Sequence, residues 1–110
     1  MSEPIEGVPF DVHADRQPGQ VRVVVSGELD LYREAAVRSC VDDVLAEGPP
    51  EPIVIDVREL QFLDSAGLRA LLTCRDRARA VGVPLTLAVS PGPVTRLLDL
   101  AGVRSWFDYE

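Results

Sequence analysis

The 110-residue chain contains no lysine and no asparagine; all 11 of its basic residues are arginine. Both missing types use AT-rich codons, which suggests a GC-rich genome. Their absence also removes chemistry: no P-loop lysine, Schiff-base lysine or receiver-type lysine can exist here. Histidine is reduced to His13. The two cysteines, Cys40 and Cys74, lie far apart in apolar helical patterns. They make no metal motif and no redox pair, and read as reduced core residues. No apolar run approaches the roughly 20 residues that span a bilayer. The opening Met1-Ser2-Glu3-Pro4-Ile5-Glu6 carries acid where a secretory signal carries a basic and then an apolar region. A cytoplasmic location is expected. A net charge of −7 disfavours partners that recognise cations. Nucleic-acid binding needs cations to displace counterions, and an anionic membrane repels an acidic surface. The one basic cluster is Arg75, Arg77 and Arg79.

What is present suits one soluble domain over residues 1–110, with a tail at about 1–7. Its apolar content of 46% and charged content of 26% are ordinary for a globular protein. Val8-Pro9-Phe10-Asp11-Val12 alternates as a half-buried strand, with Pro9 at an edge or strand start. Gln17-Pro18-Gly19-Gln20 is a turn, and Val21 to Val25 completes a hairpin. Gly27-Glu28-Leu29-Asp30 then breaks the strand. Helical spacing follows from about Leu31 to Glu47, with Ala36, Val37, Cys40, Val41, Val44 and Leu45 inward, Asp30 as N-cap and Gly48-Pro49-Pro50 as the stop. Ile53 to Val57 reads as a strand covered on both faces. A helix runs from about Ser65 to Val81, then a strand at Leu85–Val89. A short helix at Val94–Ala101 turns Leu97, Leu98 and Ala101 inward. Trp106-Phe107 begins a possible last strand. The order ββαβαβα(β) predicts an α/β domain: a mixed, mostly parallel sheet of four to five strands with three main helices.

The richest stretch is Asp56 to Leu72, where a buried strand delivers Asp64-Ser65-Ala66-Gly67 to the first turn of a helix. At 100° per residue, Gly67, Ala70, Leu71, Cys74, Ala78 and Val81 form the core stripe. Leu68 and Leu72 fall on the Ser65 side, with Arg69, Asp76 and Arg79. Two outward leucines beside an exposed serine, with arginine at the rim, read as a partner-docking patch. Ser65 or Asp64 is also a helix-cap residue. A phosphate on Ser65 adds about −1.5 to −2 charge. The helix N-terminus tolerates that anion, and Arg69, one turn on, is placed to pair with it. A partner would instead have to bury a dianion beside Asp64.

These residues resemble the anti-sigma factor antagonists, bacterial members of the STAS domain group, over nearly the whole chain. Gly27-Glu28-Leu29-Asp30 is similar to the family's Gly-Glu-hydrophobic-Asp loop. Asp56 to Leu68 is similar to its Asp-Ser-[Ser/Thr/Ala]-Gly-Leu signature, preceded by an aromatic or apolar pair, here Phe62-Leu63. Gly82-Val83-Pro84-Leu85 fits the lead-in to the fourth strand. The resemblance implies a STAS-type fold and a partner-switching role. An anti-sigma factor with serine-kinase activity binds the unphosphorylated antagonist and releases its sigma factor. The kinase then phosphorylates Ser65 with its own bound ATP, so no cofactor belongs to this chain. A PP2C-type phosphatase resets it. The partner surface so implied comprises Asp30, Asp64, Ser65, Ala66, Gly67, Leu68, Arg69 and Leu72, with Asp30 helping to present the serine. Ala66 departs from members that carry a second hydroxyl there. The terminal helix usual in the family looks short or absent after Trp106-Phe107. The sequence leaves homo-oligomerisation open.

Other readings fit less well. A serine hydrolase elbow needs Gly-x-Ser-x-Gly, but Leu63 holds the first glycine position and His13 lies in the first hairpin. A phospho-acceptor receiver could use Asp56 with Asp42-Asp43, but that pair reads as a solvated helix face and the lysine is missing. A non-phosphorylated STAS scaffold or transporter-accessory subunit would keep the fold, and the presence of Ser65 argues against it.

Overall fold

A computed structural model describes residues 9–110. Alternating β-branched residues build its centre. Val21, Val23 and Val25 of one strand and Ile53, Ile55 and Val57 of the next are almost wholly buried, because successive strand side chains point to opposite faces. The elements are β1 (Asp11–Gln17), β2 (Gln20–Leu29), α1 (Glu34–Ala46), β3 (Ile53–Leu63), α2 (Ser65–Ala80), β4 (Leu85–Ala88), α3 (Pro93–Ala101), a 3-10 turn (Arg104–Trp106) and β5 (Asp108–Tyr109). They form one five-stranded sheet in the order β1-β2-β3-β4-β5. β1 and β2 are antiparallel and the remaining pairs are parallel. α1 and α2 pack on each other, α1 against β1 and β2, α2 against β3 and β4, while α3 lies against β3. The mixed, mostly parallel α/β architecture expected from the element order is the one observed.

Several boundaries differ, each for a physical reason. The first strand begins at Asp11 and pairs residue by residue with β2 through Gln17; it is mostly exposed, but the expected alternation holds, with Phe10 and Val12 half-buried against the core. Val8 and the expected tail lie outside the described residues. Gly27 does not end β2. It takes a positive φ of 87°, and the β2–β3 register shifts beside it. A bulge absorbs the glycine and pairing resumes through Leu29. β3 correspondingly runs six residues past Val57 to Leu63. α1 starts at Glu34 and not at Leu31, with Arg33 at the N-cap position. Asp30 caps the turn before the helix: its carboxylate accepts from the Tyr32 and Arg33 backbone N–H groups. Ala36 is exposed on α1 and Ala101 on α3; on α3, Val94 and Thr95 are buried with Leu98. Phe107 is buried before β5 starts at Asp108, and among the described residues only the 3-10 turn and β5 follow α3.

Side chains of Arg22 (β2), Asp56 (β3) and Glu110 cross-link the strands. Arg22 donates to Asp56 at 3.1 Å and forks Glu110 at 2.7 and 3.0 Å. Arg58 forks Asp56 at 3.0 and 2.8 Å, and its backbone N–H donates to the same carboxylate. Glu110, 88 residues from Arg22 in sequence, therefore ties the segment after β5 back to β2 across the sheet. Asp56 is nearly fully buried, with a side chain 7% exposed. Burial alone would push its carboxyl up; the hydrogen bonds from Arg58 and Arg22 outweigh that and hold it below the usual carboxylate range. A carboxylate depressed on folding contributes stability that is full above its unfolded value, near pH 4, and is lost as pH falls through the folded one. Asp56→Asn is expected to cost about 2–3 kcal/mol at pH 7, the scale of hydrogen bonds to a charged group. Urea denaturation should show the gap to wild type closing as pH falls below about 4; a gap independent of pH would show that the carboxylate's charge contributes nothing.

Candidate partner-binding site

The ends of β2 and β3 lie side by side, and the chain leaves both at one end of the sheet. Leu29 pairs with Leu63, and the Asp64 N–H donates to the Leu29 carbonyl at 3.3 Å. Asp64 is the N-cap of α2: its carboxylate accepts from the Gly67 N–H at 2.8 Å, satisfying one of the free donors of the first turn. Ser65 is thereby left as the first helical residue, exposed. Gly67 explains why the motif needs a glycine. A Cβ at this position would lie 2.6 Å from the Leu29 carbonyl oxygen and 2.6 Å from Leu63 Cδ1, so any side chain would pry the helix from the end of β2.

Of the expected partner residues, the structure brings together Asp30, Asp64, Ser65, Ala66, Gly67 and Arg69 around this helical tip. Asp30 belongs to the neighbouring loop, but its carboxylate is engaged locally, with the Tyr32 and Arg33 backbones and the Arg33 guanidinium at 2.9 Å. Gly67 is buried and acts through close packing, not contact with a partner.

The two leucines do not face outward. Leu68 is 9% exposed and belongs to the core; Leu72 is half-buried and packs against that core. At 100° per residue the buried residues from Ala70 round to Leu68 span an arc of about 160°, wider than the stripe read from sequence. The reason is tertiary: α2 packs on both α1 and the sheet, and both leucines are drawn into that core. Val81, expected in the stripe, is 61% exposed because the helix has ended before it.

At the end of the sheet where β2 and β3 finish, the exposed apolar residues are ones the helical wheel did not single out. Leu31 is 64% exposed, Tyr32 89% and Phe62 47%. Leu31 lines a groove of about 340 Å³ between α1 and α2 with Glu34, Arg38, Ala66, Arg69 and Thr73. Tyr32 follows Leu31, and Phe62 lies three residues before Ser65, opposite Glu28 on β2. The available signal was that Leu31 and Tyr32 fit no inward position of the first helix. In the groove, Arg38 forks Glu34 at 2.6 and 3.0 Å. That hydrogen bonding, against the opposing effect of burial, holds the Glu34 carboxyl below its usual range.

The alternative chemistries find no constellation. His13 bonds the Asp11 carboxylate in β1, in the edge hairpin. Asp56 is enclosed by arginines, and Asp42 pairs with Arg77. Among the described residues no cluster of His, Cys, Asp and Glu could hold a metal, and no helix is long and apolar enough to cross a membrane.

The STAS domain family profile matches residues 11–109. The chain is 32% identical over 94 residues to the anti-sigma F factor antagonist of Paenibacillus polymyxa, covering 86% of this chain and 80% of that protein. Its fold is similar to that of an anti-sigma factor antagonist from Mycobacterium paratuberculosis (TM-score 0.77, 24% identity, covering 92% of this chain and 86% of the other). It is also similar to the Bacillus protein SpoIIAA in its phosphorylated form (TM-score 0.67, 22% identity, 91% of each chain).

The packing at Gly67 yields a direct test. Gly67→Ala is expected to lower stability by about 1–3 kcal/mol, the range for overpacking a filled site, read by urea denaturation. Leu72→Arg is expected to destabilise the domain as well, since it would place a charge against the core. If Leu72→Arg melts like wild type, that flank is open.

Proposed function

This chain belongs to the STAS domain family, and from that premise we propose that it is an anti-sigma factor antagonist whose binding is switched off by phosphorylation of Ser65. The observation that carries the reading is the exposed Ser65 at the first turn of α2, just after the Asp64 cap, with Leu31 in the adjoining groove and exposed Tyr32 and Phe62 at the same end of the sheet. A serine so placed can enter another enzyme's active site without unfolding its own domain. The apolar side chains around it offer an aromatic anchor of the kind that dominates protein interfaces.

In this reading the partner is an anti-sigma factor with serine-kinase activity. It docks on Tyr32, Leu31 and Phe62 and releases its sigma factor. The kinase transfers the γ-phosphoryl group of its bound ATP to the Ser65 oxygen; ADP leaves and the hydroxyl proton is lost. The product carries about −1.5 to −2 charge at the centre of the contact. Burying that charge unpaired in the interface costs several kcal/mol, and each 1.4 kcal/mol is tenfold in affinity. The fold bears the charge because it sits on the positive end of α2. A PP2C-type phosphatase returns the hydroxyl. The chain is a binding protein and a kinase substrate, not an enzyme.

The test is to mix the protein with its kinase and ATP and to locate phosphate by mass spectrometry. Phosphate is expected on Ser65 alone. Ser65→Ala should bind the kinase and resist release by ATP. Ser65→Glu should bind weakly with an almost unchanged melting temperature. Tyr32→Ala should weaken binding about tenfold or more without loss of stability, since Tyr32 is 89% exposed. A protein that binds the competent kinase yet stays unlabelled is a scaffold, and the switch is then wrong.

A further inference from the structure

Arg69 stands one turn after Ser65 on α2, exposed, on the wall of the α1–α2 groove beside Ala66. Three arginines line that groove: Arg38, Arg69 and Arg77. Arg38 is committed to Glu34 by a two-point fork, and Arg77 to Asp42. Arg69 is the one without a hydrogen-bonded carboxylate among the described residues. Glu34 feels its charge, but both Glu34 oxygens are already engaged by Arg38. An arginine has thus been placed near the serine while the acid that would naturally hold it is held by another.

The spacing suits an acid at position 65. Residues four apart on a helix are neighbours, about 5–6 Å between Cβ atoms, and the acid-before-base order is the favourable one. A phosphoserine offers three acceptor oxygens where Asp or Glu offers two, and the planar guanidinium matches phosphate in a two-point fork. Asp64 keeps one carboxylate oxygen on the Gly67 N–H that it caps.

We infer that Arg69 is the internal counter-ion of a phosphate on Ser65, closing a two-point salt bridge along the first turn of α2. The inference rests on the phosphorylation proposed above and adds a regulatory consequence. The modified domain neutralises part of its own new charge, and the same movement takes the Arg69 guanidinium out of the groove wall, where a docked partner would otherwise meet it. Phosphorylation then subtracts a cation from the binding face as well as adding a dianion to it.

The test uses the full chain with phosphoserine inserted at position 65 during translation, so that no kinase is required. The second ionisation of the phosphate, near pH 6 in general, is followed by 31P NMR. Its midpoint is expected to lie about 0.3 or more below that of Arg69→Gln, the size of an exposed i,i+4 pair. The gap should shrink in about 1 M salt. Asp30, Asp64 and Glu34 face the same region and push the midpoint up in both proteins, so they cancel in the comparison. Arg69→Lys should recover part of the effect, and Arg79→Gln, near the far end of α2, none of it. Titrations of wild type and Arg69→Gln that superimpose overturn the inference. A difference between them upholds it even where the kinase leaves Ser65 unlabelled, a result that would defeat only the proposed function.

Discussion

The backbone contact between the first turn of α2 and the end of β2 is the constraint on which the site depends. The Asp64 N–H reaches the Leu29 carbonyl, and Gly67 sits so close to the same oxygen that a methyl group could not be placed between them. One peptide group of β2 is therefore shared by the start of the helix and the approach to the α1 loop. Three consequences follow. Ser65 is pushed outward at the helical tip. Asp64 must turn back to cap Gly67. The Asp30–Tyr32 turn is held next to the serine, though its own hydrogen bonds are all local.

The molecule separates the charges that stabilise it from the charges its surface can use. Arg22, Asp56, Arg58 and Glu110 are bound to one another across the sheet, with Asp56 nearly excluded from water. Their hydrogen bonds are spent on one another, and Arg22 joins β2 to both β3 and Glu110. At the helical tip the reverse holds. Ser65 and Arg69 are exposed, and the acid nearest in charge to Arg69 is occupied by Arg38. The proposed phosphorylation would fall on a site where an added charge costs the fold little.

Much of this was legible in the residues. The α/β order followed from period-2 and period-3.6 patterns, and the Asp-Ser-Ala-Gly turn followed from its place after a buried strand. The extent of β2 was not legible, because Gly27 reads as a terminator in isolation; only pairing with a neighbouring strand shows that a bulge can carry the ladder past it. Asp30 was read as the helix cap, yet the carboxylate closes a turn one step earlier, a choice between two local hydrogen-bonding solutions of similar cost. Glu110 had no visible role because its partner lies 88 residues away.

The chain's own chemistry singled out the residue proposed as the switch: a serine after a capping aspartate, at the head of an apolar helix, with no lysine and no usable histidine to turn it toward catalysis. Local spacing and residue type suffice for that. Which hydrophobic residues surround the serine was decided only by tertiary packing. A helical wheel assumes one covered side. α2 has more, because the sheet and α1 each take part of its circumference, so Leu68 is consumed by the core. The exposed apolar residues at that end of the sheet are Leu31, Tyr32 and Phe62, which no periodicity links to Ser65 and which the paired ends of β2 and β3 bring to the end where α2 begins.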